Sequence, residues 1–377
     1  MAEQMKIAVL KERAAGETRV ALTPETAKKF IALGADVAIE AGAGEAASIS
    51  DAAYKDAGAT VGSAQDVLKD AGIVLGIQAP DPATLGSAKD GAFVAALFDP
   101  FKQTERVDAY AKAGLEALSM EFMPRITRAQ SMDVLSSQSN LSGYKAVIAA
   151  ADQYGRAFPM MMTAAGTVQA ARVFIMGVGV AGLQAIATAK RLGAQVSATD
   201  VRSATREQIE SLGAKAIFVE EGGIEGEGTG GYATEMSEEY KAAQAKLVSE
   251  HIAKQDIVIT TALIPGRPAP RLVTDEQIAS MKPGSVIFDI AVPQGGNVEG
   301  ALADELVTRH GVTIMGYANT PAQLAPDASA LFARNLYNFL SAFWDEEAGG
   351  PVLDEEIGNA VRLTKGGQVV NERLKEG

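Results

Sequence analysis

The chain has 377 residues, more than one hydrophobic core usually supports, so two domains are expected. Its 47% hydrophobic and 21% charged residues fit an ordinary globular protein, and 47 acidic against 34 basic residues leave a net charge of −13 with no basic cluster, which argues against nucleic acid as a partner. The absence of cysteine removes disulfide and thiolate chemistry. No run approaches the roughly 18 apolar residues of a membrane span, and the N-terminus lacks the pattern of a signal peptide. The expectation is a cytoplasmic chain without direct membrane insertion.

Taken in order, residues 6–10 read as a strand, and Thr23 before Pro24 reads as the N-cap of a helix ending at Gly34. Asp36–Glu40 reads as the next strand. Residues 65–71 form a helical stretch, followed by buried strands over 73–77 and 91–97 and a helix over 104–113. Alternating strands and helices imply a parallel sheet covered on both faces. The polar segment 120–152 breaks this rhythm, with a serine-rich run over 136–142 and a helix from Gly143, and is expected to line an interdomain cleft. Residues 158–167 read as an apolar hairpin with no core of its own, suited to burial against a second subunit of a homodimer.

The strongest signal follows. Residues 171–182, ARVFIMGVGVAG, form an apolar run breaking into G-x-G-x-x-G, and Asp200 lies eighteen residues after the last glycine. Gly177 permits a tight turn, Gly179 lets the backbone approach a pyrophosphate, and Gly182 lets the following helix pack on the strand. The helix N-terminus then offers N–H groups to the anion. Residues 195–200 read as the next strand, ending on a carboxylate placed for an adenosine ribose and repelling a 2′-phosphate, which favours NAD over NADP. Arg202 and Arg206 leave room for a 2′-phosphate. Further strands are expected over 256–261, 282–290 and 311–315, and a helix over 327–343 is expected to return the chain to the first domain. The fold expected is α/β, with two Rossmann-like domains, parallel sheets and a nucleotide-binding cleft between them. Residues 1–135 plus 325–377 would form the first α/β domain and 136–324 the NAD-binding domain. The glycine- and glutamate-rich stretch 220–231 reads as a mobile surface loop.

An oxidoreductase acting on an alcohol or amine needs a general base. The two histidines, His251 on a polar helix and His310 before a glycine turn, both read as solvated surface residues.

Several motifs together resemble one family: Lys11-Glu-Arg13, residues 18–24, residues 40–44, the long match over 123–133, residues 160–167 and residues 260–270. They resemble the alanine dehydrogenase and transhydrogenase family, and within it the NAD(H)-binding component, domain I, of proton-translocating nicotinamide nucleotide transhydrogenase. The resemblance implies that Arg125, Gln130 and Asp133 hold the dihydronicotinamide and its ribose as the catalytic set, joined by Ile126, Thr127, Arg128, Ser136 and Ser137. An ordinary ion pair is the bland alternative for Arg125 and Asp133. For the adenosine half it implies Gly177, Gly179, Val180, Gly182, Asp200, Val201, Arg202, Gly231 and Leu263, with Tyr232 and Met236 on a closing loop. It also implies partners, namely an NADP(H)-binding domain and a membrane-spanning proton-channel subunit that would keep the chain peripheral to the inner membrane. Alanine dehydrogenase is the alternative, but Gln78 stands at that enzyme's lysine position and residues 93–100 contain no histidine. An NAD(H)-sensing scaffold is a third reading.

Overall fold

A computed structural model describes residues 4–202, 204–219, 238–264 and 266–375. The chain divides into two compact units, Met1–Gln138 with Ala322–Gly377, and Ser139–Pro321.

In the first unit, β1 (Lys6–Val9), β2 (Asp36–Glu40), β3 (Thr60–Gly62), β4 (Ile73–Gln78), β5 (Phe93–Leu97) and β6 (Glu116–Ser119) form one sheet in the order β3-β2-β1-β4-β5-β6. Every pairing is parallel. The central strands are buried on both faces, which is why β4 reads as the unbroken run IVLGIQ. Helices α1 (Pro24–Ala32), α2 (Asp51–Asp56), α3 (Ala64–Leu68) and α4 (Thr104–Lys112) connect them. Thr23 caps α1 as expected, exchanging bonds with Thr26, while Pro24 occupies the first turn. The helix expected over 65–71 stops at Leu68, because Asp70 adopts a left-handed φ of 59° and Lys6 Nζ takes the Asp66 and Lys69 carbonyls.

The long helix α5 spans Val134–Gln153, starting nine residues before the expected Gly143. Asp133 supplies the start signal, since its Oδ1 accepts from Ser136 N at 2.9 Å and its Oδ2 from Ser136 Oγ at 2.5 Å. The serine-rich run is therefore helical, and its polar groups face polar partners. Ser137 Oγ donates to Asn335 Oδ1 at 2.7 Å, and Gln138 Nε2 donates to Ala328 O at 3.1 Å.

The second unit opens on a hairpin, β7 (Met161–Thr163) with β8 (Gly166–Val168). Its sheet contains β9 (Arg172–Met176), β10 (Gln195–Thr199), β11 (Lys215–Ala216), β12 (Ile257–Thr260), β13 (Val286–Asp289), β14 (Val307–Arg309) and β15 (Val312–Met315). The order is β11-β10-β9-β12-β13-β15-β14, parallel except for the edge strand β14, which the sequence pattern did not suggest. Helices α6 (Val180–Arg191), α7 (Thr205–Ser211), α8 (Glu238–Ile252) and α9 (Asp275–Ser280) belong to this unit. In the first unit α10 (Ala325–Ala342) packs Phe332, Leu336 and Phe339 into the core that contains Phe30 and Ile39.

Both sheets reverse their winding beside the first strand, at β1/β4 and at β9/β12. In open α/β sheets this switch point is where ligands bind, outside the carboxyl ends of the strands.

Gly143 shows how closely α5 approaches α6, because a Cβ there would collide with the Ala181 carbonyl. Gly143→Ala gains up to about 1 kcal/mol of helix propensity but forces backbone overpacking of about 1–3 kcal/mol. The variant should be the less stable protein in urea unfolding, and a net gain in stability would rule out the close crossing.

Candidate nucleotide-binding site

The fingerprint sits at the carboxyl end of β9, whose Val173, Phe174 and Ile175 are fully buried between β10 and β12. Gly177 turns the chain with φ 97°, a region unfavourable for a side chain, and a Cβ there would lie 2.6 Å from Thr261 Oγ1. Thr261 Oγ1 donates to Gly177 O at 2.9 Å, tying the turn to the end of β12. A Cβ on Gly182 would strike that same Gly177 carbonyl, so α6 descends directly onto the turn. Gly179 differs from both. It is the N-cap of α6, no side chain caps the helix there, and nothing lies within 4 Å of where its Cβ would be. The first-turn N–H groups of α6, beginning at Val180, thus face a side kept clear of protein atoms, which fits a dinucleotide pyrophosphate.

Asp200 follows β10 and is 8% exposed. Its Oδ2 accepts from Val178 N at 2.7 Å, and its Oδ1 accepts from Arg202 N at 2.9 Å. The Arg202 guanidinium closes on both oxygens, Nε to Oδ1 and Nη2 to Oδ2, each at 3.0 Å. Arg202 is thereby a partner of the acid, and Arg206 lies over the Phe218 ring at 4.9 Å. Val201 is half-buried and Leu263, on the loop after β12, is 37% exposed. Gly231, Tyr232 and Met236 lie outside the described residues.

In the first unit the candidate nicotinamide loop leaves β6 through Glu121. Burial raises the pKa of this carboxyl, which accepts from Phe98 N at 2.7 Å, Asp99 N at 2.6 Å and Ser119 Oγ at 2.7 Å. A 3₁₀ turn covers Thr127–Met132, anchored by buried Ala129 and Met132 and by Asn335 and Asn338, which both donate to Ser131 O. Arg125, Thr127, Arg128 and Gln130 are exposed, and Ile126 and Asp133 are half-buried. The side chains of Thr127 and Gln130 make no hydrogen bond to the described residues and are available to a ligand. Arg128 is held by Asp354 and Glu356, each at 2.6 Å, and the hydroxyls of Ser136 and Ser137 are engaged with Asp133 and Asn335.

One cluster escaped sequence reasoning because its members are far apart in the chain. Where β1 and β4 end, Arg19 is 3% exposed and its Nε and Nη2 donate to Glu17 at 2.7 and 2.6 Å. Its Nη1 donates to Gln138 Oε1 at 2.8 Å, and Gln78 Nε2 donates to Glu17 Oε2 at 3.1 Å. Glu12 accepts from Ile77 N at 2.6 Å and Gln78 N at 3.3 Å; burial, reinforced by the charge of Glu17, pushes its carboxyl up to about 7.

His251 corrects its expected place at the surface. It is half-buried, its ring meets Phe174 edge-on at 4.6 Å, and Nε2 lies 2.8 Å from Ser197 Oγ. Burial and the charges of Lys215 and Lys254 lower its pKa to about 4, so it is neutral at neutral pH. A periodic polar helix does not reveal that one of its positions packs inward. His310 is exposed and bonds Asp275 at 2.9 Å.

A glycine turn, an uncapped helix N-terminus and a carboxylate at the end of the neighbouring strand define a dinucleotide-binding Rossmann unit, accompanied by a second α/β unit of the same strand order. The chain matches the Alanine dehydrogenase/PNT N-terminal domain over residues 8–142 and the C-terminal domain over 146–372. It belongs to the alanine dehydrogenase/PNT family. Over 379 residues it is 51% identical to the first of the separate chains that make up NAD(P) transhydrogenase subunit alpha of Rhodospirillum rubrum, covering 98% of this chain and 99% of that one. The crystal structure of transhydrogenase from Sinorhizobium meliloti matches with a TM-score of 0.88 and 53% identity, covering 97% of this chain and 100% of the other. Alanine dehydrogenase of Mycobacterium tuberculosis is more distant, 30% identical over 303 residues, covering 79% of this chain and 75% of that enzyme.

Two outcomes test this geometry. The folded-state pKa of Glu12 stands above its unfolded value, so the stability linked to it is complete below pH 4.5 and is lost as pH rises through about 7. Relative to Glu12→Gln, the wild type should lose about 2 kcal/mol of unfolding free energy between about pH 5 and about pH 8. A gap independent of pH would contradict the buried carboxyl. Asp200→Asn, which puts an N–H donor against donors, should weaken NADH binding about tenfold and narrow discrimination against NADPH. Fluorescence titration reads both, and unchanged affinity for NADH would exclude Asp200 from the ribose site.

Proposed function

We propose that this chain is the NAD(H)-binding component of a proton-translocating NAD(P) transhydrogenase, needing partner subunits for full activity. In this reading the fingerprint of the second unit, with Val180, Asp200, Val201 and Leu263, holds the adenosine half of NAD(H). Arg125, Gln130 and Asp133 hold the dihydronicotinamide and its ribose. Bound NADH supplies a hydride from its nicotinamide C4, passed directly to NADP on a partner domain. The chain's own residues then need only bind and orient, because direct hydride transfer calls for no protein acid or base. Exposed Gln130 and Thr127 suit that task, since their free donors and acceptors can fix a carboxamide or ribose.

The observation that carries the reading is the buried Glu17–Arg19 pair beside Gln78. A dehydrogenase acting on a small carboxylate needs a cation for the substrate and a group to move its proton. At this switch point the guanidinium is already neutralised by Glu17, and the neighbouring side chain is an amide that does not titrate.

The same reading assigns the partners as an NADP(H)-binding domain and a membrane-spanning proton-channel subunit. No helix among the described residues is long and apolar enough to cross a membrane, so attachment to the inner membrane would run through that subunit. A homodimer is part of the proposal. The hairpin supports it, because Met160 and Met162 are 60% and 80% exposed, an apolar surface suited to burial in a second copy.

Supplied with NADH and an NADP analogue, the purified chain alone should show no turnover and should gain it when the partner domain is added. In that reconstituted reaction Arg125→Ala and Gln130→Ala should each lower the hydride-transfer rate by about tenfold to a hundredfold. Full-rate transfer by both variants would remove these residues from the site, and consumption of NADH with pyruvate and ammonia would identify an alanine dehydrogenase instead.

A further inference from the structure

The loop 262–270 leaves β12 beside the fingerprint turn and carries Leu263. Its sequence, ALIPGRPAP, includes three prolines, which lack N–H donors and leave few backbone bonds with which the loop can fix its own shape. The fixing comes from a residue outside it.

Asn297 is fully buried. Its Oδ1 accepts from Ala262 N at 3.0 Å, while its Nδ2 donates to Ala262 O at 2.9 Å and to Pro270 O at 2.8 Å. One carboxamide thus clamps both ends of the loop. Its main-chain oxygen also accepts from Leu272 N and Val273 N, at 2.8 and 3.0 Å. Asparagine is held in turn by Asp289, also fully buried, whose Oδ2 accepts from Val298 N at 3.0 Å. The other oxygen of Asp289 accepts from Ala291 N at 2.9 Å and Thr260 Oγ1 at 3.1 Å, joining the clamp to β12. The demand at Asn297 is for an acceptor on one arm and two donors on the other, which an aspartate of the same size cannot meet.

We infer that Asn297 is a positioning residue for the nucleotide. It sets the height of Ala262 and Leu263 against Gly177, and so the wall of the pocket that receives the adenosine half of NAD(H). The inference rests on the nucleotide site of the proposed function, and the test separates the two.

Asn297→Asp keeps the acceptor toward Ala262 N but turns a carboxylate on the Ala262 and Pro270 carbonyls. Asp289, bonded to the adjoining N–H, adds a charge of the same sign. Burial and this charge raise the pKa of the new carboxyl, and once protonated it can donate to one carbonyl again. NADH affinity of the folded variant, by fluorescence titration, should be about tenfold weaker than wild type near pH 8 and recover toward it near pH 5.5. Asn297→Ser, a milder change, should bind NADH several-fold more weakly at both pH values. A residue serving stability alone would lower the unfolding temperature and leave the affinity of the folded protein intact. Either variant, folded and binding NADH as tightly as wild type near pH 8, overturns the clamp while leaving the nucleotide site standing. Failure of the wild type to bind NADH overturns the site itself.

Discussion

The second unit is organised around one close approach, that of Gly182 in α6 to the carbonyl of Gly177. With no side chain between them, the helix axis comes down on the strand end. A helix dipole acts over roughly its first turn, so even a small lift of α6 would withdraw its N–H groups from any anion held by the turn. The same turn collects bonds from both neighbouring strands, from Thr261 after β12 and, through Val178 N, from Asp200 after β10. Three strand ends therefore converge on a site whose one open face is at Gly179.

The first unit repeats the strand order and puts it to a different use. Its switch point is filled by its own charges, with Glu17 on Arg19 and Glu12 on the end of β4. A buried pair of this kind is weak evidence for stability, since desolvation offsets much of the attraction, and removing either partner would leave a charge stranded. Its consequence here is specificity. A guanidinium already satisfied by two carboxylate oxygens and an amide offers little to an incoming anion. Equal topology with opposite filling shows why chemistry has to be read from the site and not from the fold.

How much of this was legible in the sequence follows from which interactions are local. Doubly covered strands such as β4 and β9 read as apolar runs, and the fingerprint declares itself because glycine is required at fixed spacing. The start of α5 was hidden because serine and asparagine favour loops through local hydrogen bonds, a preference overridden here by the Asp133 cap and by partners on α10. Strand β14 is three residues of edge, too short for a period. Glu12, Gln78, Arg19 and Gln138 meet only after the sheet has formed, so no spacing could announce their cluster. The Arg125 loop was legible by resemblance alone, because exposed polar residues in a 3₁₀ turn carry no periodic signature.

Asp200 shows where local reading gives a true residue with an incomplete role. The sequence argument treats it as a bare charge repelling a 2′-phosphate. In the fold, its four acceptor positions meet Val178 N, Arg202 N and two guanidinium nitrogens. Arriving ribose hydroxyls must exchange with bonds of Arg202, because the backbone bond to Val178 N is fixed by the fingerprint turn. The arginine stays nearby after the exchange, offsetting part of the repulsion that a phosphate would meet. Discrimination between the two cofactors at this position then depends on the geometry that keeps Asp200 buried as much as on its charge.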